Sequence, residues 1–309
     1  MILFWILIGV AVFLLGSSYG FFLVACRRTD KAADLEQTLC RPVYRDCREE
    51  ILAGLQIMDR RPHETVTLTS YDGLKLVGEY YPHPNARGTI LMFHGWHGSP
   101  QSDFGCAMHA YYSKGLSLLL VHQRTQGASE GKYITFGIRE SRDVHAWVRW
   151  HADRFGREAP IFLTGISMGA TTVLMSAGKP YDANVRGIIA DCGFTSPWEI
   201  IASVVRGRGL PIYPFVPLMS LWAWVLAGFR FRQYSTIEAV KGLKLPVFFA
   251  HGEADRFVPC HMTQAVYHAC TSPDKTLLLV PNAAHGAAYL VDRDNYEAQI
   301  GAFINRNLP

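Results

Sequence analysis

One short stretch, residues 161–170, constrains the fold more than any other part of the chain. It reads IFLTGISMGA, an apolar strand that runs into a helix through the pattern Gly165-x-Ser167-x-Gly169. A turn this sharp leaves no room for side chains beside its central residue, which explains the two glycines. Such a turn presents the Ser167 hydroxyl above a sheet and directs the Met168 N–H toward the same point. The pattern predicts a nucleophilic serine, with Met168 as one oxyanion donor.

The composition limits what can surround this serine. The chain has 309 residues, of which 49% are hydrophobic and 18% are charged, enough for one large domain with a well-buried core. The net charge of +4 is modest, and no run of basic residues is interleaved with aromatic ones, so we expect no nucleic-acid partner. The seven cysteines are scattered without a C-x-x-C pair or a zinc-like spacing, and the sequence implies neither a metal nor a cofactor.

Strands and helices alternate through most of the chain. Residues 64–70 and 74–80 predict a pair of strands joined by a turn. From residue 88 the predicted strands are 88–93, 115–121, 161–165, 185–190, 245–250 and 276–280, and the predicted long helices are 137–155 and 292–305. In the first of these helices we expect Val144, Trp147, Val148, His151 and Phe155 to face inward, and Arg139, Glu140, Arg142 and Asp143 outward. The alternation predicts an α/β fold, a mostly parallel sheet with helices on both faces.

The first 26 residues carry no charged side chain and are long enough to span a bilayer as a helix. Arg27, Arg28 and Lys31 follow directly. A cleavable signal peptide has a basic start and a shorter apolar core, so we interpret the segment as a single-pass anchor in the cell membrane. The basic residues on its C-terminal side predict a domain that faces the cytoplasm. A bacterial lipoprotein box that ends at Cys26 is the alternative.

A nucleophilic serine needs a base and an acid that orients the base. Asp255 and His285 each follow one of the last two predicted strands, just beyond the carboxyl end, where open α/β sheets place their sites. We expect His285 to take the proton of Ser167 and Asp255 to stabilise the resulting imidazolium. Asp191 and Glu253 are rival acids, and the position of the downstream loop favours Asp255.

The loop after the first parallel strand begins with His94, Gly95, Trp96 and His97. The glycine allows the backbone to approach the nucleophile, so the Trp96 N–H is predicted to be the second oxyanion donor beside Met168. Each such donor contributes about 3 kcal/mol to transition-state stabilisation. His94 and His97 could suggest a metal site, but no third ligand lies nearby at a zinc-like spacing.

The order of these motifs resembles the α/β-hydrolase superfamily. More narrowly, residues 64–305 resemble bacterial membrane-anchored hydrolases of the serine-aminopeptidase-like and BEM46/ABHD-like group. The loop QRTQGASEG at residues 123–131 is similar to that group's D-x-R-G-x-G-x-S-x-G loop, although Gln126 replaces the usual histidine or asparagine. The sequence DCGFTS at residues 191–196 is also similar to a stretch of that group. The resemblance implies an α/β-hydrolase fold with Ser167, Asp255 and His285 as its triad.

The alternation is interrupted between residues 195 and 243, where three prolines lead into an apolar run. We interpret residues 196–240 as a small helical lid, because the run ends too soon for a second membrane span. An apolar lid favours an acyl or other hydrophobic substrate. Phe215, Trp222 and Trp224 are the predicted substrate-binding residues.

The sequence therefore predicts a transmembrane anchor (1–26), a helical connector (27–63) and an α/β-hydrolase domain (64–309). The predicted function is a serine hydrolase that cleaves small hydrophobic carboxylic esters through an acyl-enzyme, without cofactor or metal. A peptidase, thioesterase or acyltransferase on the same fold is the near alternative. A catalytically silent binding protein is the alternative from a different class.

Overall fold

An eight-stranded sheet lies at the centre of a computed structural model that describes residues 1–28, 35, 39–40 and 48–308. The strands are β1 (Glu64–Thr69), β2 (Lys75–Tyr81), β3 (Gly88–Phe93), β4 (Leu116–His122), β5 (Ile161–Ile166), β6 (Val185–Asp191), β7 (Val247–Gly252) and β8 (Lys275–Val280). Their order in the sheet is β1-β2-β4-β3-β5-β6-β7-β8. The β1–β2 and β2–β4 pairs are antiparallel and all other neighbours are parallel. This sheet confirms the predicted α/β class.

The described helices cover both faces of the sheet and its carboxyl edge. They are α1 (Ile2–Cys26), α2 (Arg48–Asp59), α3 (Pro100–Phe104), α4 (Met108–Ser113), α5 (Glu140–Phe155), α6 (Met168–Ser176), α7 (Pro197–Gly207), α8 (Ile212–Ala227), α9 (Thr236–Val240), α10 (His261–Ala269), α11 (Ala288–Val291) and α12 (Arg293–Asn307). The predicted long helices correspond to α5 and α12.

Two apolar clusters explain why the parallel strands are nearly continuous hydrophobic runs. Every residue of β3 and of β7 is buried, because helices cover both faces. Alternate residues of β3 join opposite clusters: Ile90 and Met92 pack with α2, α4 and α12, whereas Leu91 and Phe93 pack with α5, α6 and α10. The sheet is therefore a rigid layer from whose carboxyl edge the loops of the site extend.

The charged residues of α5 differ from the prediction. Glu140 and Asp143 were expected to face solvent, yet both are buried. Glu140 accepts a hydrogen bond from the Thr135 N–H at 2.8 Å, and Asp143 accepts one from Arg124 Nε at 2.6 Å. Phe155, predicted to face inward, is 39% exposed at the end of the helix. Hydrophobic periodicity misses such positions because the burial depends on partners from other segments.

The insertion between β6 and β7 contains α7, α8 and α9. The last turns of α1 pack against α8, and together α1, α7 and α8 form what we call the cap, a third apolar cluster. Phe22 and Cys26 of α1 are fully buried there, whereas the first residues of α1 are exposed. The N-terminal helix thus contacts the folded domain through its C-terminal half.

Among the described residues, α1 is the one helix long and apolar enough to cross a membrane. Its role as an anchor stays a prediction, as do the boundaries of the connector and the lid. Within the predicted connector the structure contains α2, but residues 29–34, 36–38 and 41–47, including Lys31, lie outside the described residues.

Candidate active site

Ser167 lies in the turn between β5 and α6. Its backbone has φ 56° and ψ −116°, a conformation that is costly for a residue with a side chain. The flanking glycines permit the turn: a Cβ on Gly165 would collide with the backbone of Gly169, and a Cβ on Gly169 with the backbone of Phe93. The close packing of β3, β5 and α6 therefore requires the two glycines, and the strained serine is typical of a nucleophile elbow.

A chain of hydrogen bonds links Ser167 to His285 and Asp255. His285 Nε2 is 3.0 Å from Ser167 Oγ, and His285 Nδ1 is 2.6 Å from Asp255 Oδ2. When Nδ1 donates to the carboxylate, Nε2 is left to accept the proton of Ser167. The structure thus brings together the three residues that the sequence analysis assigned as the triad, on loops at the carboxyl edge of the sheet.

Asp255 is buried and is held from several sides. Its Oδ1 accepts hydrogen bonds from the Phe257 and Val258 N–H groups at 2.8 and 2.9 Å. Its Oδ2 also lies 3.2 Å from His251 Nε2. Burial alone raises the pKa of this carboxyl, but the hydrogen bonds and charges of His251 and His285 outweigh burial and lower the pKa to about 2. Asp255 is therefore ionised at neutral pH.

His251 is a residue of the site to which the sequence analysis gave no role. It is fully buried at the end of β7, with Nδ1 2.7 Å from Thr263 Oγ1 and Nε2 2.9 Å from the Val258 carbonyl. Its Nε2 faces the Val258 carbonyl and the Asp255 carboxylate. Both of these groups are acceptors, so Nε2 is the ring nitrogen that carries a hydrogen. The available signal was the spacing of four residues between His251 and Asp255, which a turn can bring together.

Backbone amides border the Ser167 hydroxyl on two sides. Met168 is the first residue of α6, and the first amides of a helix have no acceptor within the helix. The loop after β3 comes close, because a Cβ on Gly95 would lie 3.3 Å from Ser167 Cβ. Asp103 holds this loop by accepting a hydrogen bond from the Gly95 N–H at 2.6 Å. Trp96 follows directly, so the loop position is compatible with Met168 and Trp96 as oxyanion donors, and this role stays a prediction.

The rival residues make other contacts. Asp191 Oδ2 accepts a hydrogen bond from the Tyr296 hydroxyl at 3.1 Å, and burial raises the pKa of Asp191. Glu253 is exposed. His94 Nε2 accepts from the Gln123 N–H at 3.2 Å and so ties the loop after β3 to the loop after β4. In the structure the carboxylate bonded to His285 is thus that of Asp255.

One group of three potential metal ligands lies close together among the described residues. It consists of Cys192, Asp255 and His285, whose ligand atoms are within 4.8 Å of one another. Asp255 and His285 are hydrogen-bonded to each other, and burial raises the pKa of the Cys192 thiol, which keeps the thiol protonated. The group fits a proton relay better than a metal site.

Comparison with known proteins finds relatives with similar sequences and solved structures with a similar fold. No family model matches the chain. The uncharacterized protein YqkD of Bacillus subtilis is 28% identical over 199 residues, which are 64% of this chain and 65% of YqkD. The bem46 protein of Schizosaccharomyces pombe is 26% identical over 251 residues, 81% of this chain and 76% of bem46. The Pyrococcus furiosus esterase Pf2001 has a TM-score of 0.68 at 22% identity and covers 82% of this chain and 94% of the esterase.

The chain has the α/β-hydrolase fold, and its sequence is similar to that of the bem46 protein. The match spans slightly less than two thirds of YqkD. This α/β-hydrolase fold accounts for the sheet order and for the site at the carboxyl edge.

A mostly apolar cavity lies above Ser167. The empty space within it, counted together with the solvent at its open mouth, is about 710 Å³. Its walls come from α1, α7, α8 and the loops around the triad, and the lining residues are Phe21, Val24, Ala25, Trp96, Phe136, Ser167, Phe194, Ile200, Ile201, Val204, Val205, Arg208, Met219, Phe257 and Val258. An acyl chain fits such a lining.

The three predicted substrate-binding residues lie elsewhere in the cap. Phe215 packs against Phe21 with ring centroids 6.1 Å apart, and Trp222 Nε1 donates to Ser18 Oγ at 3.2 Å. Trp224 is 50% exposed on the outer side of α8. None of the three lines the cavity, because α7 supplies most of the cap wall over Ser167 and α8 packs mainly against α1. This geometry corrects the assignment of Phe215, Trp222 and Trp224 to substrate contact.

The contribution of α1 to the cavity was not predicted. Phe21, Val24 and Ala25 form part of its wall, and Trp96 Nε1 donates a hydrogen bond to the Ala25 carbonyl at 2.8 Å. An apolar N-terminal segment indicates a membrane helix, but nothing in its composition signals that its last turns also border the site. The cavity of the hydrolase fold is therefore bounded by the candidate membrane helix itself.

Proposed function

We propose that this protein is a serine hydrolase that cleaves carboxylic esters through an acyl-enzyme. The observation that carries the proposal is the hydrogen-bonded chain from Ser167 through His285 to Asp255, with distances of 3.0 and 2.6 Å. The elbow geometry of Ser167 and the fold shared with an esterase support it. The apolar cavity above Ser167 favours a hydrophobic ester.

In the first half-reaction, Ser167 Oγ attacks the ester carbonyl carbon while His285 takes the hydroxyl proton. The N–H groups of Met168 and Trp96 bind the oxyanion that forms. The bond to the alcohol oxygen then breaks, and His285 returns the proton to the leaving alcohol. The charge of Asp255 stabilises the imidazolium in this step.

In the second half-reaction, His285 takes a proton from a water molecule that attacks the acyl carbon. The tetrahedral intermediate collapses, the bond between the acyl group and Ser167 breaks, and His285 gives the proton back to the serine. The products are the free acid and the restored enzyme. Each step uses the ionised form of Asp255, in agreement with its lowered pKa.

A hydrolysis screen tests the proposal against its alternatives. It compares p-nitrophenyl esters of increasing acyl length with a matched thioester and a matched anilide, for the wild type and Ser167→Ala. We expect ester cleavage that depends on Ser167. Preference for the anilide or thioester would indicate the peptidase or thioesterase instead. Absence of any turnover together with absence of fluorophosphonate labelling would indicate a binding protein.

We also propose that α1 remains attached as a single-pass anchor in the cell membrane, with the hydrolase domain on the cytoplasmic side. Cys26 is fully buried, and its carbonyl accepts a hydrogen bond from the Ile134 N–H at 2.6 Å. Arg28 N–H donates to the Lys132 carbonyl at 2.9 Å. Cleavage of a signal peptide, or lipidation at Cys26, would remove these contacts or expose a buried thiol.

Cell fractionation of the full-length chain and of a chain lacking residues 1–28 tests the anchor. We expect the full-length chain in the membrane fraction at its uncleaved mass, and protease accessibility of the domain only from the cytoplasmic side. A processed N-terminus, or a full-length chain in the soluble fraction, would contradict the proposal.

A further inference from the structure

We propose that the substrate is the acyl ester of an anionic membrane lipid, which enters the cavity from the bilayer between α1 and α7, with its headgroup charge at Arg208. This inference rests on the proposed esterase function and on the proposed membrane anchor, and it specifies the substrate class. Three independent observations lead to it: the position of the cavity along α1, the outer surface of α8, and the charge at the mouth.

With α1 as the proposed anchor, the cavity lies at the end of the helix that leaves the bilayer. The helix has 25 residues and is about 37 Å long, whereas the hydrocarbon core is about 30 Å thick. When the helix enters the hydrocarbon at its first residues, about five residues extend beyond it on the side of the domain. Val24 and Ala25, which line the cavity, belong to these five residues, and Phe21 directly precedes them. Val24 is 66% exposed, so an apolar side chain stands at the open mouth.

The outer side of α8 extends this apolar surface. Val216, Met219 and Ala223 of α8 are buried in the cap. On the opposite side of the same helix, Leu221, Trp224 and Val225 are exposed, which is unusual for a helix that faces water.

Helix α8 is held beside α1 by Trp222, whose ring centroid is 5.1 Å from that of Tyr19. The exposed faces of the two helices therefore form one surface that fits the interface region of a bilayer.

Arginines beside tryptophans border this surface. The Arg230 guanidinium lies 4.7 Å from the centre of the Trp224 ring, and that of Arg232 lies 3.7 Å from the Trp198 ring. Tryptophan with a basic neighbour is typical of the membrane–water boundary, where the ring lies at headgroup depth and the cation meets anionic lipid. The charge pattern favours a lipid surface over a second protein as the occupant of the α8 face.

Arg208 is the charged side chain in the cavity lining among the described residues. It is exposed at the end of α7, and its NH1 donates to the Val204 carbonyl at 3.2 Å, which leaves further N–H donors of its guanidinium for a ligand. A cation at the mouth of an otherwise apolar cavity fits an amphiphile with an acyl chain and an anionic headgroup. Ser167, at the base of the cavity, then attacks the ester bond of that lipid.

The test uses the full-length protein in phosphatidylcholine nanodiscs. The substrates are lysophosphatidylglycerol and lysophosphatidylcholine with the same acyl chain, and p-nitrophenyl butyrate serves as the water-soluble ester. We expect a higher kcat/KM for the anionic lipid, and Arg208→Gln should reduce the ratio of anionic to zwitterionic kcat/KM about tenfold. Arg206→Gln, which removes a neighbouring exposed arginine outside the cavity lining, should leave that ratio unchanged.

Fluorescence quenching by brominated lipids tests the membrane surface in the same nanodiscs. Trp224→Phe should remove a quenched component, whereas Trp150→Phe, on α5 away from the cap, should not. If Trp224 is not quenched, the route from the bilayer is overturned. A second copy of the chain or another protein bound over α8 would give this result.

Equal turnover of both lipids, or equal effects of the two arginine variants, overturns the role of Arg208. If the wild type does not hydrolyse p-nitrophenyl butyrate, the esterase function itself is contradicted instead.

Discussion

At the carboxyl edge of the sheet, Ser167, His285 and Asp255 are joined by hydrogen bonds of 3.0 and 2.6 Å between polar side chains. In the cap directly above them, α1, α7 and α8 meet through apolar side chains, and the cavity lining there contains one charged residue. The two regions border the same space but are built from different interactions.

The difference determines how each region tolerates change. In the proposed mechanism each catalytic role at the polar edge requires one residue type, because a proton must leave one atom and arrive at another. In the cap, what matters is the shape and the apolar area of the cavity wall, which several apolar side chains can supply. Substitutions at the edge should therefore lower the turnover of every substrate, and substitutions in the cap should change the preference among substrates.

The largest effect is expected at the triad. Ser167→Ala or His285→Ala should reduce kcat by about 10⁴-fold or more on all esters, and the double variant should lose little beyond either single one. Asp255→Asn should cost less, because nucleophile and base remain. Activity should also fall on acidification, because protonated His285 cannot accept the serine proton. Steady-state kinetics on a short and a long ester measures these losses of kcat. A loss limited to one ester would contradict the difference drawn between the polar edge and the cap.

A smaller effect is expected at His251, whose Nε2 lies 3.2 Å from Asp255 Oδ2, the same oxygen that His285 contacts. His251→Leu removes the donor to the carboxylate and should lower kcat about tenfold to a hundredfold, because the relay is less well positioned. His251→Gln keeps an N–H donor and should recover part of the loss. If the two variants lose the same activity and their melting temperatures are unchanged, the hydrogen bond from His251 to Asp255 does not contribute to kcat.

In the cap we expect a change of preference rather than a general loss. Ile201→Ala enlarges the cavity and should change the ratio of kcat/KM for a dodecanoyl ester to that for an acetyl ester about tenfold. Trp222→Ala, which removes a contact between α8 and Ser18, should leave this ratio close to the wild type. A stronger change of the ratio in Trp222→Ala than in Ile201→Ala would restore the substrate role predicted for Trp222.

The smallest expected effect concerns stability against pH, away from both regions. His151 bonds to Thr89 Oγ1 at 2.8 Å through Nε2, and burial lowers its pKa to about 4. The unfolded chain binds this proton near pH 6.5, so stability should decrease as the pH falls from 6.5 to 4, by at most about 1.4 kcal/mol per unit.

Melting of the full chain in detergent at pH 7 and pH 5.5 measures this decrease. His151→Gln should reduce it, and the exposed His268→Gln should not. An unchanged difference in His151→Gln would place the acid sensitivity elsewhere, for example at the buried His94.

The spatial arrangement of Ser167, His285 and Asp255 could be predicted, because a triad requires particular residue types in a fixed order along the chain. Two glycines around Ser167 indicate the elbow, and the residues after the last two strands indicate the base and the acid. His251 could not be assigned in this way, because its role depends on a contact that forms only when the loop folds back toward Asp255.

The cap was predicted less well for a physical reason. Apolar side chains carry no directional signal, so the sequence indicates a lid but not which of its helices faces the serine. Trp222 and Trp224 attract attention as large aromatic residues, whereas the wall is made by ordinary residues such as Ile201 and by Val24 of the N-terminal helix. Long-range packing of α1 onto the domain leaves no local pattern.

The most direct test of the central claim is the site and dependence of fluorophosphonate labelling, determined by intact mass and peptide mapping of the full-length protein. One adduct is predicted, on Ser167, absent from Ser167→Ala and much slower in His285→Ala, since the serine is activated by that imidazole. An adduct that persists in Ser167→Ala, or one that maps to another residue, would contradict the account of the site.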